Sequence, residues 1–181
     1  MAIARAQIVH ICPIDKLESI WYNIITKGKG INKMTKAIYF DMDGTIADLY
    51  GVDGWLDSLI AEQTKPYREA KPLVDMRSLA KLLNTLQAQG WTIGIISWLS
   101  KSGSDEYGDR VAKAKEKWLA KHLGSVHFDE IKIAKYGTPK QFLANHPFGI
   151  LFDDEQPNRN AWIGEAYDVH NILQVLTAIA A

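Results

Sequence analysis

Cysteine is almost absent from this chain of 181 residues; Cys12 is the only one. An intrachain disulfide and a cysteine-rich zinc site are therefore excluded. A lone thiol fits a reducing compartment, and a cytoplasmic location is expected. Excess charge is absent too: 21 Lys plus Arg balance 21 Asp plus Glu. That balance disfavours a strongly basic nucleic-acid binder and an acidic solvating tail, so no extended nucleic-acid footprint is expected. Long apolar runs are missing. No stretch reaches the roughly 18 residues of a membrane-spanning helix, and no membrane partner is expected. Residues 1–14 carry one Arg and a short apolar stretch without a convincing small-residue cleavage site, which disfavours a secretory signal. The five histidines are scattered, with no metal-ligand spacing. What remains is 47% apolar and 23% charged, an ordinary globular composition. The length suits one domain that buries roughly 70% of its unfolded surface.

Residues 1–33 differ from the rest. Leu17, Ile20, Trp21 and Ile24 recur at helical spacing within residues 15–25, and Lys27-Gly28-Lys29-Gly30 has linker character. We take residues 1–33 as an N-terminal extension and residues 34–181 as the domain proper. The alternative is a docking helix over a sheet edge. A chain starting at Met34 is expected to fold if the extension is dispensable. From Lys36 onward, short apolar runs alternate with helical patterns. Strands are expected at 37–40, 92–96, 130–134, 149–152 and 167–169. Helices are expected after Asp75 (ending at Gly90), over 109–123, after Thr138-Pro139, and after Asn171. This βαβα rhythm predicts a Rossmann-like three-layer α/β/α sandwich with a central parallel sheet. Chemistry in such sheets sits beyond the carboxyl ends of the strands. Asp41, Ser97 and Asp153-Asp154 occupy those ends here.

Asp41-Met42-Asp43-Gly44-Thr45 is the strongest feature. Residues two apart share a face on extended backbone, so both carboxylates aim at one region. Paired carboxylates repel and lose solvation, and a cation beside them resolves both costs. Carboxylate and carbonyl oxygens suit Mg2+, which keeps several waters and takes few protein ligands. Asp153 and Asp154 would bring further carboxylates to the same ion. Gly44 permits a tight turn with its amide free to face a phosphate oxygen.

In order, these residues resemble the four dispersed motifs of the haloacid-dehalogenase (HAD) superfamily of phosphohydrolases. Residues 41–48 are similar to its DxDGTxxD motif, Ser97 after an apolar strand to the second, Lys140 to the third and Asp153-Asp154 to the fourth. The likeness spans residues 34–181. Within the superfamily, the chain most resembles the 5'(3')-deoxyribonucleotidases, on Asp-Met-Asp-Gly, the Lys- and Trp-containing helix around residues 113–123, and the short gap from Lys140 to Asp153. The resemblance implies a Mg2+-dependent phosphomonoesterase with a small-molecule phosphate monoester as substrate. Asp41 would be the nucleophile, forming an aspartyl-phosphate, and Asp43 the general acid and base. Mg2+ would sit on Asp41, the Asp43 carbonyl and Asp153, with Asp154 assisting. Ser97 and Lys140 would stabilise the phosphoryl oxygens. Lys135 is the alternative to Lys140, which is placed in the first turn of a helix capped by Thr138. Asp48 either orients the loop after the first strand or caps a helix. Thr45 is a turn or supporting residue.

Trp98, Tyr50 and Trp55 could stack on a nucleobase or simply pack the insert against the core. Trp91, Trp118 and Trp162 are assigned to packing. Residues 46–74 leave room only for a minimal cap insert of one or two short helices, broken near Pro66. The deoxyribonucleotidases carry a larger cap. A small cap leaves room for a bulkier substrate, such as a nucleic-acid end, or for closure by a second copy in a homodimer. Sugar phosphates are a further substrate class, and a non-catalytic phospho-ligand binding module is the alternative of another kind.

Overall fold

A computed structural model of the chain describes residues 7–9 and 35–181. The 15–25 helix and the 27–30 linker expected above lie outside the described residues. Strands are β1 (Gln7–Val9), β2 (Ala37–Phe40), β3 (Ala47–Asp48), β4 (Lys71–Pro72), β5 (Thr92–Trp98), β6 (Glu130–Ala134), β7 (Ile150–Phe152) and β8 (Ala166–Tyr167). Helices are α1 (Trp55–Ile60), α2 (Lys65–Glu69), α3 (Met76–Ala88), α4 (Asp105–His122), α5 (Gln156–Ala161) and α6 (Ile172–Ala180). Two 3-10 turns, Lys140–Phe142 and Val169–Asn171, complete the description.

Six strands form one sheet in the order β1-β6-β5-β2-β7-β8, and every pairing is parallel. The architecture is the Rossmann-like α/β sandwich that the alternating pattern implies. Ile38 and Phe40 of β2 enter a large core with Leu79 and Leu83 of α3, Trp118 of α4 and Leu176 of α6. Ala37 and Tyr39, one register step away, enter a smaller cluster on the other face with Leu151 and Trp162. This period-2 split of fully buried residues is what a strand covered on both faces requires. Each such aliphatic or aromatic burial contributes about 1.5–3 kcal/mol.

Strand order reverses at β2. The chain goes from β2 outward to β5 and β6 on one side, then to β7 and β8 on the other. Such a switch point opens a crevice at the carboxyl ends, where neighbouring connections diverge.

Several boundaries differ from expectation for physical reasons. Helix α4 begins at Asp105 rather than Asp109. Ser104 accepts a hydrogen bond from the Tyr107 amide, and Asp105 and Glu106 suit the positive end of the helix. Thr138 caps no helix; its hydroxyl bonds the Lys135 carbonyl, and only a 3-10 turn follows. Asn171 makes no side-chain cap. Asp168 accepts from the His170 amide and opens the preceding 3-10 turn instead. The insert's two short helices are interrupted just before Pro66, as expected, and Pro66 itself sits in the first turn of α2. Gly90 ends α3 with φ +84° as expected, and Asp75 caps its start through the Arg77 amide.

The insert is small. Antiparallel β3 and β4 form its base, and α1 and α2 lie between them. Leu49 and Tyr67 pack on Tyr107, Val111 and Ala114 of α4. Glu62 accepts bonds from the Ser104 amide at 2.8 Å and its hydroxyl at 2.7 Å, which ties the insert to the start of α4.

Candidate active site

Asp41 follows the last residue of β2, Asp153 follows β7, and Ser97 lies in the last turn of the β5 pleat. β5 and β7 are the two neighbours of β2. The three positions that the pattern assigned to strand ends therefore meet at the switch point. Lys140 joins them. Its ammonium lies 2.8 Å from Asp41 Oδ1 and 2.6 Å from Asp153 Oδ2, with its side chain 3% exposed. Lys135 is directed elsewhere, to the exposed Asp105 at 3.6 Å. Lys140, not Lys135, is the lysine placed at these carboxylates, and a 3-10 turn rather than a capped α-helix presents it.

The electrostatics are those of a crowded acidic cluster. Burial pushes the Asp43 carboxyl above the usual range, and the Asp41 charge adds to this against the opposing pull of Lys115. Asp153 is raised by burial and then by Asp41, against Lys140 and Asn158. Asp154 is pushed up to about 6 by burial and the charges of Asp41 and Asp153. Burial alone would lower the Lys140 ammonium, but Asp41 and Asp153 hold it above its ordinary value.

Four carboxylates here face two ammonium groups, Lys140 and Lys115. A divalent cation would relieve the repulsion among these carboxylates. Among the described residues no three acidic, His or Cys side chains are placed to hold a metal ion by themselves. A hard cation that keeps its waters and takes few protein oxygens fits this donor set, whereas a fully enclosed metal does not.

Two expectations are corrected. The Gly44 amide is not free for phosphate: it donates to the Ala47 carbonyl at 2.8 Å. Gly44 is still needed for its φ of +79°, and a Cβ there would fall on the Asp154 carboxylate. Ser97 is fully buried and is not on the cleft wall. Its hydroxyl meets the Lys115 ammonium at 2.8 Å. Thr45 is a supporting residue, linked to Asp154 by its hydroxyl at 3.2 Å and by the Asp154 amide at 3.0 Å. Asp48 orients its loop by accepting from the Gly51 amide at 2.9 Å and caps no helix.

Lys115 was not expected. It donates to Asp43 Oδ2 at 2.6 Å, Ser97 Oγ at 2.8 Å and the Trp98 carbonyl at 2.7 Å. One signal in the sequence marks it: Tyr107, Val111, Lys115, Trp118 and Leu119 share the buried stripe of α4. A lysine at an inward position of an otherwise apolar stripe calls for a buried partner. Asn158 and Arg159 were also missed. Asn158 bonds both Asp153 carboxylate oxygens at 3.2 Å, and Arg159 holds the Asp153 and Asp154 carbonyls at 2.8 and 2.7 Å.

A cleft of about 320 Å3 opens over Asp41, Asp43, Lys140, Asp153 and Asp154. Its outer walls are aromatic. Tyr50 and Trp55 meet edge to face at 5.1 Å on the insert side. Trp98 packs on Tyr136, which the sequence did not single out, at 4.9 Å. Trp98 also donates its indole N–H to the Thr138 carbonyl and lies under the Lys140 ammonium. Trp98 therefore packs and lines the cleft at once. Trp91, Trp118 and Trp162 are buried in the cores, as expected.

No family model matches the chain, and no curated protein matches it. Among solved structures it is similar to D,D-heptose 1,7-bisphosphate phosphatase from Burkholderia thailandensis, at 14% identity over 70% of both chains with a TM-score of 0.42. It is also similar to D,D-heptose 1,7-bisphosphate phosphatase from B. bronchiseptica complexed with magnesium and phosphate. That match has 13% identity over 70% of this chain and 74% of the other, with a TM-score of 0.43. Neither likeness bears on substrate or cofactor here; the geometry of the site does.

Proposed function

We propose that the chain is a Mg2+-dependent HAD phosphomonoesterase that works through an aspartyl-phosphate on Asp41. The observation that carries this reading is the joining of Asp41 and Asp153, from adjacent strand ends, by one buried lysine, with Asp43 two residues from Asp41 in the same cleft. Asp41 attacks phosphorus, and the bond from phosphorus to the ester oxygen breaks. Asp43 gives its proton to the departing oxygen. Its upward-shifted carboxyl suits that task. Water then attacks the phosphorus of the aspartyl-phosphate, Asp43 takes a proton from it, and phosphate leaves with Asp41 restored. Lys140 offsets charge on Asp41 and on the phosphoryl oxygens. Mg2+, held by Asp41, the Asp43 carbonyl and Asp153 with help from Asp154, supplies further neutralisation of phosphoryl charge when bound.

Nucleoside monophosphates are the substrates we favour, on a 5'(3')-deoxyribonucleotidase-like pattern. Support comes from the aromatic walls, Tyr50 and Trp55 facing the cleft from one side and Trp98 and Tyr136 from another. Flat rings stack on such surfaces. The cleft volume suits a small ligand.

The test is phosphate release from ribo- and deoxyribonucleoside 5'- and 3'-monophosphates, sugar phosphates, a 5'-phosphorylated oligonucleotide and p-nitrophenyl phosphate, with Mg2+ and with EDTA. Release is expected to need Mg2+, to favour nucleoside monophosphates, and to fall by on the order of 10^3-fold or more in Asp41→Asn. Absence of release from folded protein would leave only phosphate binding.

A further inference from the structure

Lys115 takes no part in the scheme above, yet its side chain is fully buried in contact with the proposed acid. An ammonium has three protons and accepts nothing. Three acceptors surround it: Asp43 Oδ2 at 2.6 Å, Ser97 Oγ at 2.8 Å and the Trp98 carbonyl at 2.7 Å. The Tyr67 ring from the insert closes over it at 5.4 Å. Every donor is engaged, and the two contacts other than Asp43 are to buried or backbone groups of β5. Lys115 is thus fixed from behind by strand and helix, and its remaining bond holds one named oxygen of Asp43. Asp43 itself keeps 19% of its side chain exposed and lines the cleft. A single-bond carboxyl between Met42 and Gly44 could otherwise swing through its rotamers.

We infer that Lys115 is a positioning residue for Asp43: by occupying Oδ2 from the protein side, it leaves Oδ1 as the oxygen that delivers the proton to the departing alcohol. Ser97 then acts behind it, as one of the two β5 anchors that set the ammonium. This inference rests on the phosphomonoesterase reading. It also gives buried Ser97 a place in the site without contact to phosphate.

A residue acting through the acid matters in proportion to the need for that proton. An alkyl ester leaves as a poor alkoxide and needs it; p-nitrophenolate leaves without it. The experiment therefore follows the first chemical step alone, as leaving-group release with enzyme in excess and Mg2+ present. The two probes are p-nitrophenyl phosphate and whichever of thymidine 5'-monophosphate, glycerol 3-phosphate and glucose 6-phosphate the wild type cleaves fastest. Lys115→Met is expected to slow the alkyl ester at least about tenfold more than the aryl ester. In an Asp43→Asn background the same change is expected to add no further selective loss. Should Lys115→Met fail to fold, Lys115→Gln goes through the same pair of esters, with the same selectivity expected. Equal slowing of both esters, or an undiminished effect in the Asp43→Asn background, overturns the positioning role while leaving the phosphatase reading intact. A folded wild type that releases neither leaving group overturns both.

Discussion

The floor and the walls of the cleft are built by different rules. The floor consists of Asp41 and Asp153, at the ends of central strands and at most 6% exposed, with the buried Lys140 brought to them by a 3-10 turn. Lys140 bridges both carboxylates, and Asp153 is held further by Asn158 and the Glu155 amide. The walls come from short pieces, α1, α2 and the segments after β5 and β6, with Leu56 52% and Ile60 73% exposed. Their cleft-facing aromatic contacts are ring against ring, edge to face between Tyr50 and Trp55 and tilted between Trp98 and Tyr136. The contrast teaches where each property resides. On the proposed reading, reaction chemistry falls to the most buried part of the cleft and selectivity to its exposed walls. A change in the floor should cost stability and turnover together. A change in the walls should alter preference among substrates with little effect on folding.

The largest effect should come from the floor. Lys140→Met leaves Asp41 and Asp153 facing each other without a cation between them. Breaking such a buried arrangement costs about 3–5 kcal/mol. Urea denaturation in EDTA is expected to show that loss, with turnover abolished. Lys135→Met, at a pair whose side chains are 53% and 95% exposed, should stay within about 0.5 kcal/mol of wild type. A stable Lys140→Met protein would break the distinction between floor and walls.

The same contrast governs what the sequence made legible. The strands that carry the floor could be read from uninterrupted apolar runs, and the residues just after them follow by counting. Asp41, Asp153 and the parallel sheet needed nothing more. Lys140 is legible from its likeness to the third motif and its place just after Thr138-Pro139, but its 3-10 turn is not, because Thr138 bonds back to Lys135 rather than capping forward. Ser97 was placed at the right strand end, yet its burial depends on α4 packing across it. Lys115 was hidden for the same reason. Its partners Asp43, Ser97 and Trp98 lie 72, 18 and 17 residues away, and only tertiary contact joins them. The turn at Gly44 is legible in the sequence, but its amide is engaged by Ala47 because the following residues fold into the β3 ribbon. In the walls, Tyr136 gave no signal, since a lone aromatic in a loop has no periodicity.

A wall substitution sharpens the comparison on a smaller scale. Base stacking on an aromatic side chain is worth about 1–3 kcal/mol, or roughly 5–150-fold in affinity. Trp55→Ala, whose ring meets Tyr50 edge to face, should raise KM for a nucleoside monophosphate within that range. KM for glycerol 3-phosphate, which has no ring, should move by less than about twofold. Trp98→Ala is the contrasting case. Its ring also lies 4.9 Å from the Lys140 ammonium and its indole N–H holds the Thr138 carbonyl. That variant should lose on both substrates, because it belongs to floor and wall together. Equal losses for Trp55→Ala on both substrates would remove the base-stacking role.

The smallest effect is a pH dependence at the margin between the two regions. Asp154 is pushed from 3.8 up to about 6 by burial, then by Asp41 and Asp153. A carboxyl with a raised value in the folded state binds its proton more tightly there than in the unfolded chain. Between about pH 4 and 6 the folded state therefore holds more protons, and this group's contribution to stability falls as pH rises through that window. Asp43 and Asp153, shifted in the same direction, add to the slope. In EDTA, Asp154→Asn should gain Tm relative to wild type as pH goes from 4 to 7. The gain should be at most about 2–4 °C, since a partly exposed charge is worth no more than roughly 1 kcal/mol. Added Mg2+ competes with the same protons, so its stabilisation of wild type should grow over that interval and grow less in Asp154→Asn. A Mg2+ effect unchanged by the substitution would place the cation away from Asp154 and confine its site to the strand-end carboxylates of the floor.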